Sequence, residues 1–304
     1  MNVIWAISIE DDKEQSVFFN ELRNLVLNAP EKNILFLMYY RSLSWHKALF
    51  LKYYRGNWSY RAVSFQWKHD RILNEFYEET HHHKFETLNL YLSAHCWKNE
   101  IYTMGSGKRP FTTEELSHWA QRHQVHWNLV IFDCCYMSTI YNIENLYPSA
   151  DYMIALETSQ GYVGFQMPNL MSLFVESNTR KLGIKIAKMF VKQESPIEKL
   201  SWAADVALID LKAGQELVAW VRENQDKLVK NDKTRVEVCD TMKCKEEYDL
   251  FDLWIAVPIK KRTEEFQRVF EKTRIFYGQN RMMRENKKLS SRLHGISIGK
   301  DLDF

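Results

Sequence analysis

Apolar positions along this chain follow two rhythms. Short, nearly unbroken runs at Val3 to Ile9, Asn33 to Tyr40, Leu88 to Ala94, Leu129 to Phe132, Asp151 to Leu156 and Asp205 to Ile209 predict buried strands, since a sheet covered on both faces needs apolar side chains on both. Between these runs, apolar residues recur at helical spacing. Phe18, Leu22 and Leu25 share a face behind Asp11 or Asp12, either of which can cap a helix. A further helix is expected near Arg71 to Glu79. Leu116, Trp119, Ala120 and His123 share a face behind Thr112 and Glu115, the spacing of a capping box. Leu182, Ile186, Met189 and Phe190 mark a helix over Arg180 to Gln193, and Leu217, Val218, Val221 and Leu228 mark another. Strand and helix thus alternate, which predicts an α/β domain around a mostly parallel sheet. A small antiparallel hairpin is expected to decorate it, with Ala48 to Tyr54 and Trp58 to Gln66 joined through a Gly56-Asn57 turn. Residues 260–290 are rich in Lys, Arg and Glu, with Phe266, Phe270 and Ile275 interleaved, and predict a charged amphipathic helix packed on the domain.

The stretch from Asn128 to Phe165 organises the rest. It reads as a strand, a polar tip at Asp133, Cys134 and Cys135, a helix from about Met137 to Leu146, and a second strand, which is a βαβ unit. Parallel sheets place ligands beyond the carboxyl ends of their strands. The Leu88 to Ala94 strand ends likewise at His95. If the two strands share a sheet, His95 and Cys135 project from one edge although 40 residues (135 − 95) separate them. A cysteine beside an imidazole is a nucleophile with its acid–base group. The reference thiol pKa of about 8.5 leaves it mostly protonated at neutral pH, and the imidazole can favour the thiolate.

Composition narrows the partners. A chain of 304 residues with 45% hydrophobic and 14% aromatic content can bury a large core, and one enlarged domain over 1–304 is the economical reading. A net charge of +2 gives no basic field, so a nucleic-acid partner is not expected. No apolar run of about 18 residues occurs, so no membrane span is expected. The first residues read as a strand rather than a secretion leader, which leads to the expectation of a cytoplasmic protein. Five cysteines, two of them adjacent, do not suggest a disulfide framework, and Cys239 and Cys244 have no second pair nearby for zinc. His81, His82 and His83 cannot all face one metal from a regular element and read as a solvated loop. His118 and His126 read as surface residues and His123 as a half-buried helix residue, so no metal site is expected. Gly105 to Arg109 lacks the spacing of a phosphate loop.

The segments F-D-C-C-Y-M at 132–137 and A-D-Y-M-I-A-L-E-T at 150–158 resemble the block around the nucleophile of clostripain-type cysteine peptidases, the caspase-like group that cleaves after basic residues. Y-D-L-F-D-L at 248–253 and H-G-I-S-I at 294–298 are similar to later segments of that family. The resemblance implies a caspase-like three-layer sandwich, Cys135 as nucleophile and His95 as its partner. It implies an oxyanion hole from the backbone N–H groups of Cys135 and of Cys96, which stands where the family has glycine after the histidine. A backbone N–H survives that change, but a side chain now occupies a place where glycine lets substrate approach. Asp133 matches the family's acidic residue near the specificity pocket, where a carboxylate selects Arg or Lys. The alternative is that it only accepts backbone N–H bonds at the helix start. Glu157 could line the same cleft. A cut between the two catalytic residues accompanies activation in this family, and Lys108 and Arg109 offer basic positions for self-cleavage, the bond after Arg109 being disfavoured by Pro110. Some relatives require calcium, but no calcium loop is recognisable and no cofactor is expected. The expected substrates are proteins or peptides carrying basic residues. A reading from a different class is a catalytically impaired scaffold that binds peptides.

Overall fold

The computed structural model describes residues 1–10, 23–25, 34–42, 47–64, 69–102, 110–158, 167–192, 204–225, 228, 235–240, 243–249, 264–285 and 294–299. Its frame is a nine-stranded sheet. In spatial order the strands are β14 (Arg274–Gln279), β11 (Asp205–Asp210), β10 (Ala150–Ala155), β9 (Trp127–Asp133), β5 (Thr87–Ser93), β1 (Asn2–Glu10), β2 (Ile34–Ser42), β3 (Lys47–Tyr54) and β4 (Asn57–Ser64). The five central strands, β10 to β2, are parallel, and two antiparallel strands extend the sheet on each side. The helices are α1 (His69–Thr80), α2 (Thr113–Arg122), α3 (Ile140–Leu146), α4 (Met167–Met171), α5 (Thr179–Lys192), α6 (Leu211–Asn224), α7 (Glu264–Thr273) and α8 (Arg281–Glu285).

Alternation along the strands builds two cores. Val3, Trp5 and Ile7 of β1 and Val130 and Phe132 of β9 pack on one face under α1, α2, α3, α6 and α7. Ile4, Ala6, Leu129 and Ile131 point to the other face, under Phe174 and the Leu182, Ile186 and Phe190 stripe of α5. Three layers result, as the apolar runs require. Trp5, Trp119 and Trp127 meet in the first core with ring centroids 6.0 to 6.4 Å apart, contacts worth about 0.5–1.5 kcal/mol per pair beyond burial. Helix α2 starts at the expected capping box: the Glu115 N–H donates to Thr112 Oγ1 at 3.2 Å and the Thr112 N–H to Glu115 Oε2 at 3.1 Å.

Several expectations need correction. Tyr54 pairs with Asn57, so the hairpin turn is Arg55-Gly56, one residue before the Gly56-Asn57 expected. Their φ values of +51° and +82° are those of a two-residue turn whose twist matches the strands, with glycine in the second place. The hairpin joins the sheet it was expected to decorate: β3 pairs with β2, and β4 forms the sheet's edge. Residues 260–290 are not one helix. Phe266, Val269 and Phe270 do bury one face of α7, but Arg274–Gln279 pairs antiparallel with β11 as an edge strand before α8 begins. Ile275, Phe276 and Tyr277 have high strand preference and Gly278 weakens a helix, so the open edge of β11 wins. Leu228 lies beyond α6, which ends at Asn224, but still packs into the first core.

Two small sheets were not expected. One is β6 (His95–Trp97), β7 (Glu100–Tyr102) and β8 (Phe111–Thr112); the other is β12 (Arg235–Asp240), β13 (Lys243–Asp249) and β15 (Ser297–Gly299), in which Cys239 is in register with Cys244. Of the helix predicted after Asp11, residues 23–25 are described and helical, with Leu25 in the second core. Lys108 and Arg109 lie outside the described residues. Among the described residues no helix is long and apolar enough to cross a membrane.

Candidate functional site

Strands β5 and β9 are adjacent and parallel, with Asn89 in register with Leu129 and Ser93 with Asp133. Each chain continues two residues past the last pair, one to His95 and the other to Cys135. Contacts on either side fix these segments together. The buried thiols of Cys96 and Cys134 lie against each other, and the Trp97 and Tyr136 rings meet edge to face with centroids 4.6 Å apart. Asn142 at the start of α3 donates from Nδ2 both to the Met137 carbonyl, at 2.8 Å, and to the Lys98 carbonyl, at 2.5 Å. Its Oδ1 accepts from the Thr113 hydroxyl at 2.7 Å. One amide thus ties the hairpin that carries His95, the segment that follows Cys135 and the start of α2.

Burial separates the three thiols. Cys134 is 1% and Cys96 6% exposed, whereas His95 and Cys135 are half-buried. Burial pushes the Cys96 thiol up and the Cys134 thiol well up, so both stay protonated and unreactive. The Cys96 side chain packs inward against Cys134 and the Ala94 carbonyl. Tyr136 adopts φ +57°, a left-handed conformation that turns the chain sharply after Cys135. Beyond it the Ser138 N–H donates to the Leu156 carbonyl at 2.9 Å, and Thr139, which is extended, bridges to Ser297. Helix α3 therefore starts at Ile140 instead of near Met137, capped by the Thr139 hydroxyl, which accepts from the Asn142 N–H at 3.2 Å. Asp133 does not cap it.

Three carboxyls gather behind this edge. Asp133 is buried at the tip of β9 and accepts from the Tyr91 hydroxyl. Glu157 is 2% exposed, and its Oε2 accepts the Gly295 N–H at 2.7 Å. Asp205 opens β11. Its Oδ1 accepts from the Thr158 hydroxyl at 2.7 Å and the Thr158 N–H at 3.1 Å, and its Oδ2 from the Glu157 N–H at 3.4 Å. Burial pushes its carboxyl from 3.8 up to about 6 despite those donors. Nothing local in the sequence marks a structural role for Asn142, Tyr136 or Thr158. The one available signal was an acid opening an otherwise apolar strand, Asp205-Val206-Ala207-Leu208-Ile209.

Several histidines outside the site gather at the other end of the sheet. His123 stacks on Trp119 at 4.6 Å, and His126 Nε2 pairs with Asp151 Oδ1 at 2.9 Å, which raises its pKa. An open cavity of about 610 Å³ lies at the opposite, amino-terminal edge of the sheet, lined by Tyr77, His81, Arg122, His123 and His126 among others. None of the carboxyls or thiols above lines it. Among the described residues no group of three or more His, Cys, Asp or Glu side chains could hold a metal ion.

Comparison with known proteins places this geometry. The model of the Clostripain family matches residues 91–290. The chain is similar to the solved structure of an inactive zymogen C11 protease from Parabacteroides distasonis, with 16% identity and a TM-score of 0.68 over 92% of this chain and 84% of that one. It is similar to a secreted C11 cysteine protease from Bacteroides thetaiotaomicron bound to an irreversible peptide inhibitor, with 12% identity and a TM-score of 0.75 over 100% and 94% of the two chains. A further structure of a secreted C11 cysteine protease from that organism gives 13% identity and 0.72 over 92% and 87%. At such identities these structures speak to the fold, which is theirs. No curated protein matches the chain.

Proposed function

The chain belongs to the clostripain family of cysteine peptidases, and from that premise we propose that it cleaves peptide bonds after Arg or Lys, with Cys135 as nucleophile and His95 as its acid–base partner. The observation that carries this reading is the register of β5 on β9, Ser93 beside Asp133, which sends both residues out at one edge. In the proposed reaction His95 takes the Cys135 proton, the thiolate attacks the scissile carbonyl, and the imidazolium returns the proton to the leaving amine. Water activated by the same imidazole then releases the acyl group from sulfur.

The oxyanion donors would be the backbone N–H groups of Cys135 and Cys96. Trp97 and Glu100 close the β6–β7 hairpin around Lys98 and Asn99, and alternate pairs of an antiparallel ladder exchange no backbone bonds. Cys96 with Ile101 is such a pair, so its N–H faces away from β7. The inward packing of the Cys96 side chain favours turnover over the impaired-scaffold reading, because the cleft keeps the room that glycine would leave. Asp133, two residues before the nucleophile, supports recognition of a basic side chain by a charge-assisted bond, with the Tyr91 hydroxyl orienting its carboxylate. Asp133, Glu157 and Asp205 are each engaged by protein donors, and among the described residues no group of three or more His, Cys, Asp or Glu side chains could hold a calcium ion.

Hydrolysis of a fluorogenic Arg or Lys peptide by wild type and by Cys135→Ala tests the assignment. Turnover is expected only from wild type, and equal rates remove the nucleophile. A peptide ending in Asp or Leu at the cleaved bond should be a poor substrate; if it is turned over equally well, the basic preference is wrong.

A further inference from the structure

We propose that Thr158 and Asp205 form a clamp that positions the nucleophile's turn, so that both act as positioning residues for the reaction at Cys135; this rests on the assignment of Cys135 made above. The turn needs an outside restraint. Tyr136 directly follows Cys135 and holds φ +57°, a region that a bulky non-glycine residue enters only when its surroundings enforce it. Two backbone bonds enforce it here: the Tyr136 N–H donates to the Thr158 carbonyl at 3.1 Å, and the Ser138 N–H to the Leu156 carbonyl at 2.9 Å. Both acceptors lie on the bend that leaves β10.

That bend has no strand partner of its own. The ladder between β10 and β11 ends where Ala155 pairs with Ala207, before Leu156. Side-chain bonds take over from there. Asp205 accepts the Thr158 hydroxyl, the Thr158 N–H and the Glu157 N–H, and the Asp205 N–H donates back to Thr158 Oγ1 at 3.4 Å. Asp205 is 0% exposed, and a carboxyl so placed costs the fold more than a neutral residue would. Its bonds hold no strand in register; they hold the bend, and the bend holds the residue after the nucleophile. Strand β11 keeps its ladder to β10 and β14 without them.

The test measures the rate at which iodoacetamide alkylates Cys135, read by mass spectrometry, together with kcat and KM on the fluorogenic peptide, in wild type, Thr158→Val, Thr158→Ser and Asp205→Asn. Alkylation needs no substrate recognition, so it reads the nucleophile alone. Thr158→Val keeps the shape and removes the hydroxyl, and is expected to lower both the alkylation rate and kcat by roughly ten- to a hundredfold with KM little changed, the scale of a small misplacement. Thr158→Ser restores the hydroxyl and should recover most of the rate. Asp205→Asn should slow alkylation without lowering the melting temperature at neutral pH, which also decides the matter if Thr158→Val does not fold. Folded Thr158→Val and Asp205→Asn proteins that alkylate at the wild-type rate overturn the clamp while leaving Cys135 as nucleophile. Full turnover by Cys135→Ala instead removes the nucleophile, and the clamp with it.

Discussion

Replacing Asp205 by Asn measures what a buried carboxyl costs this fold. Burial raises the carboxyl from 3.8 to about 6, against the opposing effect of the Thr158 hydroxyl and the Thr158 and Glu157 N–H groups. A folded state with the higher pKa keeps its proton where the unfolded chain has lost it. Native stability therefore falls as pH rises through the window from 3.8 to about 6, is fully reduced above it, and is unaffected below it, where both states are protonated. A shift of about two units corresponds to on the order of 3 kcal/mol. Asn cannot ionise and keeps one acceptor for Thr158, but it loses the 3.4 Å contact with the Glu157 N–H, worth about 1 kcal/mol. The variant should thus be more stable than its parent by on the order of 2 kcal/mol at pH 7.5, and slightly less stable near pH 4. Urea unfolding followed by tryptophan fluorescence at both pH values, with Cys135→Ser in both proteins to prevent self-digestion, gives the two differences. Titrating groups that do not interact with Asp205 are common to the pair and cancel. The same difference at both pH values, or a loss at pH 7.5, refutes the reasoning.

Other expectations are narrower. Thr112→Ala removes the side-chain half of the capping box, the Glu115 N–H bond to the Thr112 hydroxyl, and should cost about 1 kcal/mol in a denaturant titration, with Thr112→Ser near wild type. A Cβ at Gly214 would stand 2.3 Å from Ile143 Cγ2, where α6 crosses α3, so Gly214→Ala should destabilise by about 1–3 kcal/mol, and Ile143→Ala in the same chain should recover part of that loss. If the segment between the catalytic residues is cut on activation, incubation should split the wild-type chain after Lys108, whereas Cys135→Ala stays whole; a single unchanged intact mass for wild type removes this expectation.

The edge that carries the site was legible because β5 and β9 are long apolar runs that each end beside a reactive residue, and parallel strands bring such ends together. Only family likeness points to Cys135 rather than Cys134 in the sequence; burial, which sets Cys135 apart from Cys134 and Cys96, is a property of the fold. Strands β6 to β8 hold two or three residues each, too few to display a period. Strand β14 was hidden because the spacing of Phe266 and Phe270 runs on smoothly to Ile275, and only the open edge of β11 decides where the helix stops. Thr158 and Asp205 meet across 47 residues, and no local pattern in the chain records that meeting.

The late H-G-I-S-I segment shows why likeness near the end of the chain bears on a site near its middle. Gly295, at φ +97°, donates its N–H to Glu157, while its carbonyl accepts the Ser138 hydroxyl. A Cβ there would come 2.8 Å from the Tyr277 ring and 3.2 Å from the Ala207 Cβ, so the position is closed to other residues by both conformation and space. Two residues on, the Ser297 N–H donates to the Ser138 carbonyl at 2.8 Å. The segment after Cys135 is therefore gripped from two sides, by the bend after β10 through Tyr136 and Ser138 and by the late segment through Ser138 and Glu157. Ser138 and Glu157 belong to both grips. The proposed nucleophile sits on a turn too strained to hold one geometry alone, and the fold supplies the restraint from parts of the chain to which no chemistry is assigned.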